Sequence, residues 1–159
     1  MASFVVDASA TLPWYFLDEA TPWSNSILSR LGATDDAVAP AHWPTEVSNA
    51  FLVAFRRKRI QRADIAVFWA DLQQLPISVE PAISITAAQT VTDLAIQNNL
   101  TFYDAVYLEL AIRRGLPIAT LDNALRQAAL ACGIEHQDSY GCRGCSNGYS
   151  LRFVAGQCA

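Results

Sequence analysis

The segment that most constrains this fold spans residues 4–9 and has the sequence FVVDAS. A short β-branched run of this kind is typical of a strand buried on both faces at the centre of a parallel sheet. Asp7 then lies at the carboxyl end of the strand, where open α/β sheets place their ligand crevice. Because burying an unpaired carboxylate costs several kcal/mol, we expect a partner that neutralises Asp7.

Strand and helix signals alternate along the rest of the chain. Short apolar runs predict strands at 3–7, 37–40, 77–79 and 116–120, with a weak edge strand at 134–136. Apolar residues at helical spacing predict helices at 9–17 (interrupted by Pro13), 22–30, 44–59, 62–75, 84–98, 103–114 and 122–132. This alternation predicts a single α/β domain, a three-layer α/β/α fold with a central parallel sheet.

Three residues test these helix boundaries and faces. Gly32 is expected to be the C-cap of the helix that begins at Pro22. The helical spacing places Ile85 and Tyr103 on the inward faces of their helices.

The composition limits the classes of function that we expect for this chain. The chain has 159 residues, a length typical of one domain, and a mean hydropathy of +0.19. Its net charge of −4 argues mildly against a dedicated nucleic-acid binder, although a local basic patch can still steer RNA. No apolar run is long enough to cross a membrane and no secretory signal is evident, so we expect a cytoplasmic protein with reduced thiols.

The last part of the chain has a different character. Residues 137–159 hold four of the seven glycines and three of the four cysteines, with no helical or strand period. We therefore expect a domain over residues 1–136 and an irregular tail over 137–159, which non-native sequence would also explain. Cys142 and Cys145 form a CxxC pair, but the second ligand pair of a zinc site is absent.

Four acidic residues follow predicted strands or begin predicted helices: Asp7, Glu46, Asp104 and Asp122. Three of them have an ordinary structural alternative. Asp122 could be a helix N-cap, Asp104 could complete a capping box with Thr101, and Glu46 could favour its helix dipole. For Asp7 no structural role is as good as a functional one.

Together these acids point to a metal. Each pair of carboxylates about 5 Å apart repels by about 3 kcal/mol at an effective dielectric constant of about 20. Hard divalent ions such as Mg²⁺ or Mn²⁺ relieve this repulsion, whereas the lack of paired Cys or His ligands argues against zinc. Two such ions can activate water and stabilise the leaving oxygen of a phosphodiester.

Four short motifs carry a family resemblance: VVDAS at 5–9, TEVSNA at 45–50, FYDA at 102–105 and ATLD at 119–122. Their order and spacing resemble the PIN domain and, more closely, the VapC-type toxins of prokaryotic VapBC toxin–antitoxin pairs. The resemblance covers about residues 2–136. It implies a PIN-like domain and a Mg²⁺- or Mn²⁺-dependent endoribonuclease that cleaves structured RNA such as tRNA or rRNA.

The resemblance also implies roles for individual residues and partners. The positions that match the family's catalytic residues are Asp7, Glu46, Asp104, Asp122 and Thr120, and the four acids are the metal ligands. Ser9 and Asn49 match polar positions near the pocket. A homodimer is implied, inhibited by a VapB-like antitoxin that wraps the toxin and inserts a basic side chain into the acidic pocket.

Two other functions stay open. One is a PIN-like module that binds RNA or protein without cutting it. The other is a phosphoacceptor domain with an acidic pocket, although no lysine follows the last strand and Lys58 is the only lysine. Metal-dependent turnover separates the enzyme from the binding module.

Two further features have open roles. The basic residues Arg56, Arg57, Lys58, Arg59 and Arg62 could contact RNA phosphates, or could be a solvated helix end whose charges suit the dipole. His42 is near Glu46 in sequence and could assist proton transfer, which two-metal hydrolysis does not require.

Overall fold

The sheet contains four short parallel strands in the described part of the chain, which is residues 3–137 of a computed structural model. The strands are β1 (Phe4–Val6), β2 (Ala37–Ala39), β3 (Ile77–Val79) and β4 (Ile118–Ala119). Their order in the sheet is β3-β2-β1-β4, so β1 is central and buried, as its sequence predicts. The predicted edge strand at 134–136 is reduced to a single parallel bridge between Ile118 and His136.

Helices connect the strands and complete the α/β/α layers. They are α1 (Ala8–Thr11), followed by a 3₁₀ turn (Leu12–Trp14), α2 (Pro22–Ala33), α3 (Trp43–Arg56), α4 (Arg62–Leu72), α5 (Ile85–Asn98), α6 (Phe102–Arg114) and α7 (Asn123–Ala131). The predicted fold class, a three-layer α/β/α domain with a parallel sheet, is confirmed. None of these helices is long and apolar enough to span a bilayer.

The local sequence sets most of the helix ends. Thr21 accepts a hydrogen bond from the Ser24 amide, and Pro22 occupies the first turn, where its missing N–H costs nothing. Gly115 ends α6 with a φ of +61°, which glycine adopts without strain.

Three local predictions are wrong, because a local pattern does not show where tertiary contacts begin and end. Gly32 lies inside α2, which continues to a C-cap at Thr34, beyond which Asp35 forms an ion pair with Arg30 at 2.6 Å. Ile85 is 95% exposed and Tyr103 is 62% exposed. Both lie in the first turn of a helix, where the periodicity predicts a face but not how far a neighbouring element covers it.

The order in which successive strands are added to the sheet changes side at β1, so the switch point lies between β1 and β4. β2 and β3 follow on one side of β1, and β4 pairs on the other, with Val6 opposite Ala119. Ligands of open parallel sheets bind at the carboxyl ends of the strands at such a switch point. The residues that follow β1 and β4 therefore occupy the expected position of a functional site.

The predicted tail lies largely outside the described residues, as does the Cys142–Cys145 pair. Gln137, the first residue of this tail, is buried. Its backbone N–H donates to the Ile118 carbonyl at 2.8 Å, and its backbone carbonyl accepts from the Trp23 indole at 2.8 Å. Gln137 thus belongs to the packed domain, one residue beyond the predicted boundary at 136.

Candidate active site

Asp7 and Thr120 lie side by side because they follow paired strands. The Asp7 amide extends the ladder by donating to the Ala119 carbonyl at 3.0 Å. The Thr120 hydroxyl then donates to Asp7 Oδ2 at 2.7 Å. Both side chains are buried, so the register of β1 and β4 brings a carboxylate and a hydroxyl together at the switch point.

A second hydroxyl also contacts this carboxylate. Ser9 Oγ donates to Asp7 Oδ2 at 2.5 Å and accepts from the Leu121 amide at 2.9 Å. Thr120 Oγ1 accepts from the Asp122 amide at 3.0 Å. Because an amide occupies a lone pair of each hydroxyl, both hydroxyl protons are directed toward Asp7.

The pKa of Asp7 is raised above its ordinary value. Burial is the largest cause, because only 6% of the residue is exposed and the charged form loses hydration. The hydrogen bonds from Ser9 and Thr120 oppose the shift, and the negative charge of Asp104 adds to it. The network of hydroxyls therefore does not fully replace the lost water, and a cation would complete the site.

Glu46 lies in the first turn of α3, where the charges of Asp7 and Asp104 act on its carboxylate. Burial raises its pKa, a hydrogen bond from the Tyr107 hydroxyl to Oε2 partly offsets the shift, and the charges of Asp7 and Asp104 raise it further. Three carboxylates that are far apart in sequence thus act on one another electrostatically in the folded chain.

Asp104 lies in the first turn of α6, where it forms two hydrogen bonds with Thr101. The Thr101 side chain caps the helix by accepting from the Asp104 amide at 3.2 Å. The Thr101 hydroxyl also donates to Asp104 Oδ2 at 2.5 Å. This differs from the predicted capping box, in which the carboxylate would accept from the backbone N–H of Thr101.

Asp122 adopts the N-cap role that the sequence left open. Its Oδ1 accepts from the Leu125 amide at 2.8 Å at the start of α7. It is linked to Asp7 through its own amide and Thr120. Asn49 is exposed on α3, one turn after Glu46.

His42 is near the acids in space as well as in sequence. Its Nε2 lies 3.7 Å from Glu46 Oε2, and its ring centroid is 4.9 Å from that of Tyr107 and 5.6 Å from that of Tyr103. Burial lowers the pKa of His42, and the charge of Asp104 opposes this shift. This shift favours the neutral form of the imidazole.

Tyr107 makes a polar contact at the site that the sequence motifs did not predict. The ring is fully buried in α6, yet its hydroxyl donates to Glu46, and burial, the charge of Asp7 and this hydrogen bond all raise its pKa. The phenol therefore stays protonated and holds the Glu46 carboxylate. The available signal was its spacing of i+3 from Asp104, which places both on one helix face.

The oxygen atoms of the site are donors that suit a hard divalent ion, but the acidic side chains do not lie close enough together to form a complete ligand set in the described residues. Within residues 3–137, no three carboxylate, imidazole or thiol side chains converge closely enough to form a metal cluster. However, Mg²⁺ is typically held by one or two carboxylates, with water and substrate phosphate as its other ligands. The raised pKa values of Asp7 and Glu46 agree with such an open site.

Comparison with known proteins identifies the class to which this fold and site belong. The PIN domain family model matches residues 4–130, so the chain belongs to the PIN domain family. Members of this family are typically metal-dependent nucleases that commonly use Mg²⁺ or Mn²⁺.

One solved structure with a similar fold is the crystal structure of PAE2754 from Pyrobaculum aerophilum, with a TM-score of 0.62. The two chains are 21% identical, and the match covers 80% of this chain and 86% of the other. No curated protein matches the chain significantly.

Proposed function

We propose that this protein is a Mg²⁺- or Mn²⁺-dependent endoribonuclease that acts as the toxin of a type II toxin–antitoxin pair. The observation that carries the proposal is the buried Asp7 carboxylate at the switch point of the sheet, which the hydroxyls of Ser9 and Thr120 hold in place and whose charge acts on Glu46. Its substrate is a structured RNA such as tRNA or rRNA, cleaved in the cytoplasm. The protein acts as a homodimer and is inhibited by a VapB-like antitoxin.

Each polar residue has a distinct part in this proposal. Asp7, Glu46 and Asp104 would hold the main metal ion, and Asp122 would serve a weaker second position. A bound divalent ion would supply Lewis-acid chemistry, activating water and stabilising the leaving oxygen of the phosphodiester. Ser9 and Thr120 orient the Asp7 carboxylate, Tyr107 orients Glu46, and the neutral His42 imidazole can accept a proton near Glu46.

RNA cleavage tests the proposal directly. The protein with Mg²⁺ or Mn²⁺ should cleave RNA, EDTA should stop it, and Asp7→Asn should abolish turnover. Asp93→Asn, an exposed aspartate on α5, is the matched control and should cleave at the parent's rate. Cleavage by Asp7→Asn at the rate of the parent would overturn the site assignment.

The toxin role needs a test in cells. Expression of the chain should arrest growth, and Asp7→Asn should not. Co-expression of a small protein with a DNA-binding fold and a basic tail, encoded by the neighbouring reading frame, should restore growth, because a basic side chain suits the acidic pocket. Growth arrest by Asp7→Asn equal to that of the parent would contradict a nuclease toxin.

Among the described residues, 3–137, no three metal ligands converge, which favours one alternative, a PIN-like module that binds RNA or protein without cutting. A binding module should bind RNA equally well in Mg²⁺ and EDTA and should show no turnover. Titration of Mg²⁺ against both binding and cleavage separates the two functions.

A further inference from the structure

A cavity of about 180 Å³ lies next to the acidic residues. Its walls come from residues 40–42 after β2, residues 80–83 after β3, and α6. His42 and Tyr103 line it, and both border the candidate site: His42 Nε2 is 3.7 Å from Glu46, and Tyr103 directly precedes Asp104. A group bound in this cavity would therefore be adjacent to a phosphodiester held at the acids.

The lining favours a neutral, flat, apolar group. Phe102, Tyr103, Ile83 and Val106 supply aromatic and aliphatic surface. The volume is below the range of about 300–1,000 Å³ typical of pockets for drug-sized ligands, so the cavity suits one ring system better than a whole nucleotide or a peptide segment.

The charged residues at the rim neutralise one another. Arg113 forms ion pairs with Glu109 at 2.8 Å and Glu80 at 3.5 Å, and Arg114 forms an ion pair with Glu80. Glu80, Glu109 and Arg113 line the cavity, and Arg114 pairs with Glu80 from outside the lining, so the only lining guanidinium is already matched by carboxylates. A phosphate or carboxylate would find no unmatched cation here, whereas an uncharged ring would displace water from apolar surface.

Tyr103 provides a surface on which a ring can stack. Its side chain is 62% exposed although the helical pattern placed it in the core, and the neighbouring Phe102 is 37% exposed. Exposed aromatic rings beside a nuclease site are the groups on which unpaired bases stack, and such stacking tolerates any base sequence.

We propose that this cavity binds one unpaired nucleobase of the RNA substrate, stacked on Tyr103 and Phe102 next to the phosphodiester that is cut. The inference rests on the proposed nuclease function, because it takes the phosphodiester to be held by Asp7, Glu46 and Asp104. The base must be unpaired, since a base within a duplex is already stacked and cannot enter the cavity.

The first test is binding in EDTA, where cleavage is absent. Tyr103→Ala should weaken the binding of an RNA hairpin with an unpaired loop by about 5- to 150-fold, the range for loss of a stacking residue. Tyr103→Phe should bind like the parent. Phe55→Ala removes an aromatic side chain on α3 that is 40% exposed and does not line the cavity, and should also bind like the parent.

The second test removes the base instead of the tyrosine. After the cut is mapped, hairpins that carry an abasic nucleotide on either side of it are compared with the intact hairpin. An abasic nucleotide on one side should reduce binding to the parent by a similar factor, and Tyr103→Ala should cause no further loss with that RNA. Equal losses for Tyr103→Ala with intact and abasic RNA would overturn the proposal.

Other outcomes separate the base-binding cavity from the proposed nuclease function. Cleavage that requires Asp7 but is indifferent to Tyr103 and to the abasic change overturns the base pocket alone. Base-dependent binding through Tyr103 without metal-dependent cleavage supports the pocket and overturns the nuclease function. If Tyr103→Ala alters the oligomeric mass in light scattering and leaves RNA binding unchanged, the cavity is a contact between protein chains and the proposal fails.

Discussion

Thr120 Oγ1 donates a hydrogen bond of 2.7 Å to Asp7 Oδ2, although the two residues are 113 positions apart in sequence. The parallel pairing of β1 with β4 creates this contact, because each residue is the first after its strand. Asp7 accepts another bond from Ser9, so its carboxylate is held in place before any ligand arrives. The predictions below follow from this fixed, buried carboxylate and its neighbours.

Asp7→Asn should stabilise the metal-free protein increasingly as the pH rises. Burial raises the Asp7 pKa above its ordinary 3.8, so the native state binds this proton more tightly than the unfolded state. The contribution of Asp7 to stability is therefore fully present below pH 3.8 and is lost as the pH rises through the folded pKa. Urea unfolding of both proteins in EDTA from about pH 4 to 8 measures the difference, and a pH-independent difference would contradict the prediction.

Thr120→Val should destabilise the protein by about 1–3 kcal/mol, because a buried carboxylate loses a hydrogen-bond donor and the Asp122 amide loses its acceptor. Thr120→Ser keeps the hydroxyl and should recover most of this loss. Equilibrium unfolding in denaturant gives both values. In the Asp7→Asn background the cost of Thr120→Val should be smaller, and an unchanged cost would show that the two residues are not coupled.

Tyr107→Phe should weaken metal binding more at pH 6 than at pH 8. The Tyr107 hydroxyl lowers the pKa of Glu46, so its loss raises that pKa further and leaves less carboxylate ionised at the lower pH. The effect should be less than about tenfold, because the half-buried Glu46 can bind water instead. Calorimetric titration with Mn²⁺ measures it. Tyr103→Phe is the control, and an equal loss for Tyr107→Phe at both pH values would argue against this role.

The basic residues at the end of α3 should differ in role, one contributing to stability and two being available to bind RNA. Arg59 forms ion pairs with Asp18 at 2.5 Å and Glu19 at 2.7 Å and packs over the Phe16 ring, so Arg59→Gln should lower the melting temperature slightly. Arg57 and Lys58 are exposed.

If these two contact RNA phosphates, Arg57→Gln and Lys58→Gln should each reduce the slope of log affinity against log salt by about 0.7. Filter binding at several salt concentrations measures the slope. An unchanged slope with an unchanged melting temperature would leave them as solvated helix-end charges.

The sequence predicted the parts of the fold that depend on local patterns. A β-branched run predicted the buried β1, and helical periods predicted the helices, including the start of α2 at Pro22 and the end of α6 at Arg114, which the structure confirms. Gly32, Ile85 and Tyr103 were placed wrongly, because a local pattern cannot tell where the neighbouring element stops. The metal-binding role of the four acids stays a prediction.

The sequence by itself determined the order of the elements and the presence of a carboxylate directly after the central strand. Side-chain periodicity and strand composition act over a few residues and are written into the chain. Only the tertiary structure decided that Tyr107 holds Glu46, that Asp122 caps α7, and that Tyr103 stands exposed beside a cavity. These outcomes depend on how strand register and helix packing bring distant residues together, which no local pattern encodes.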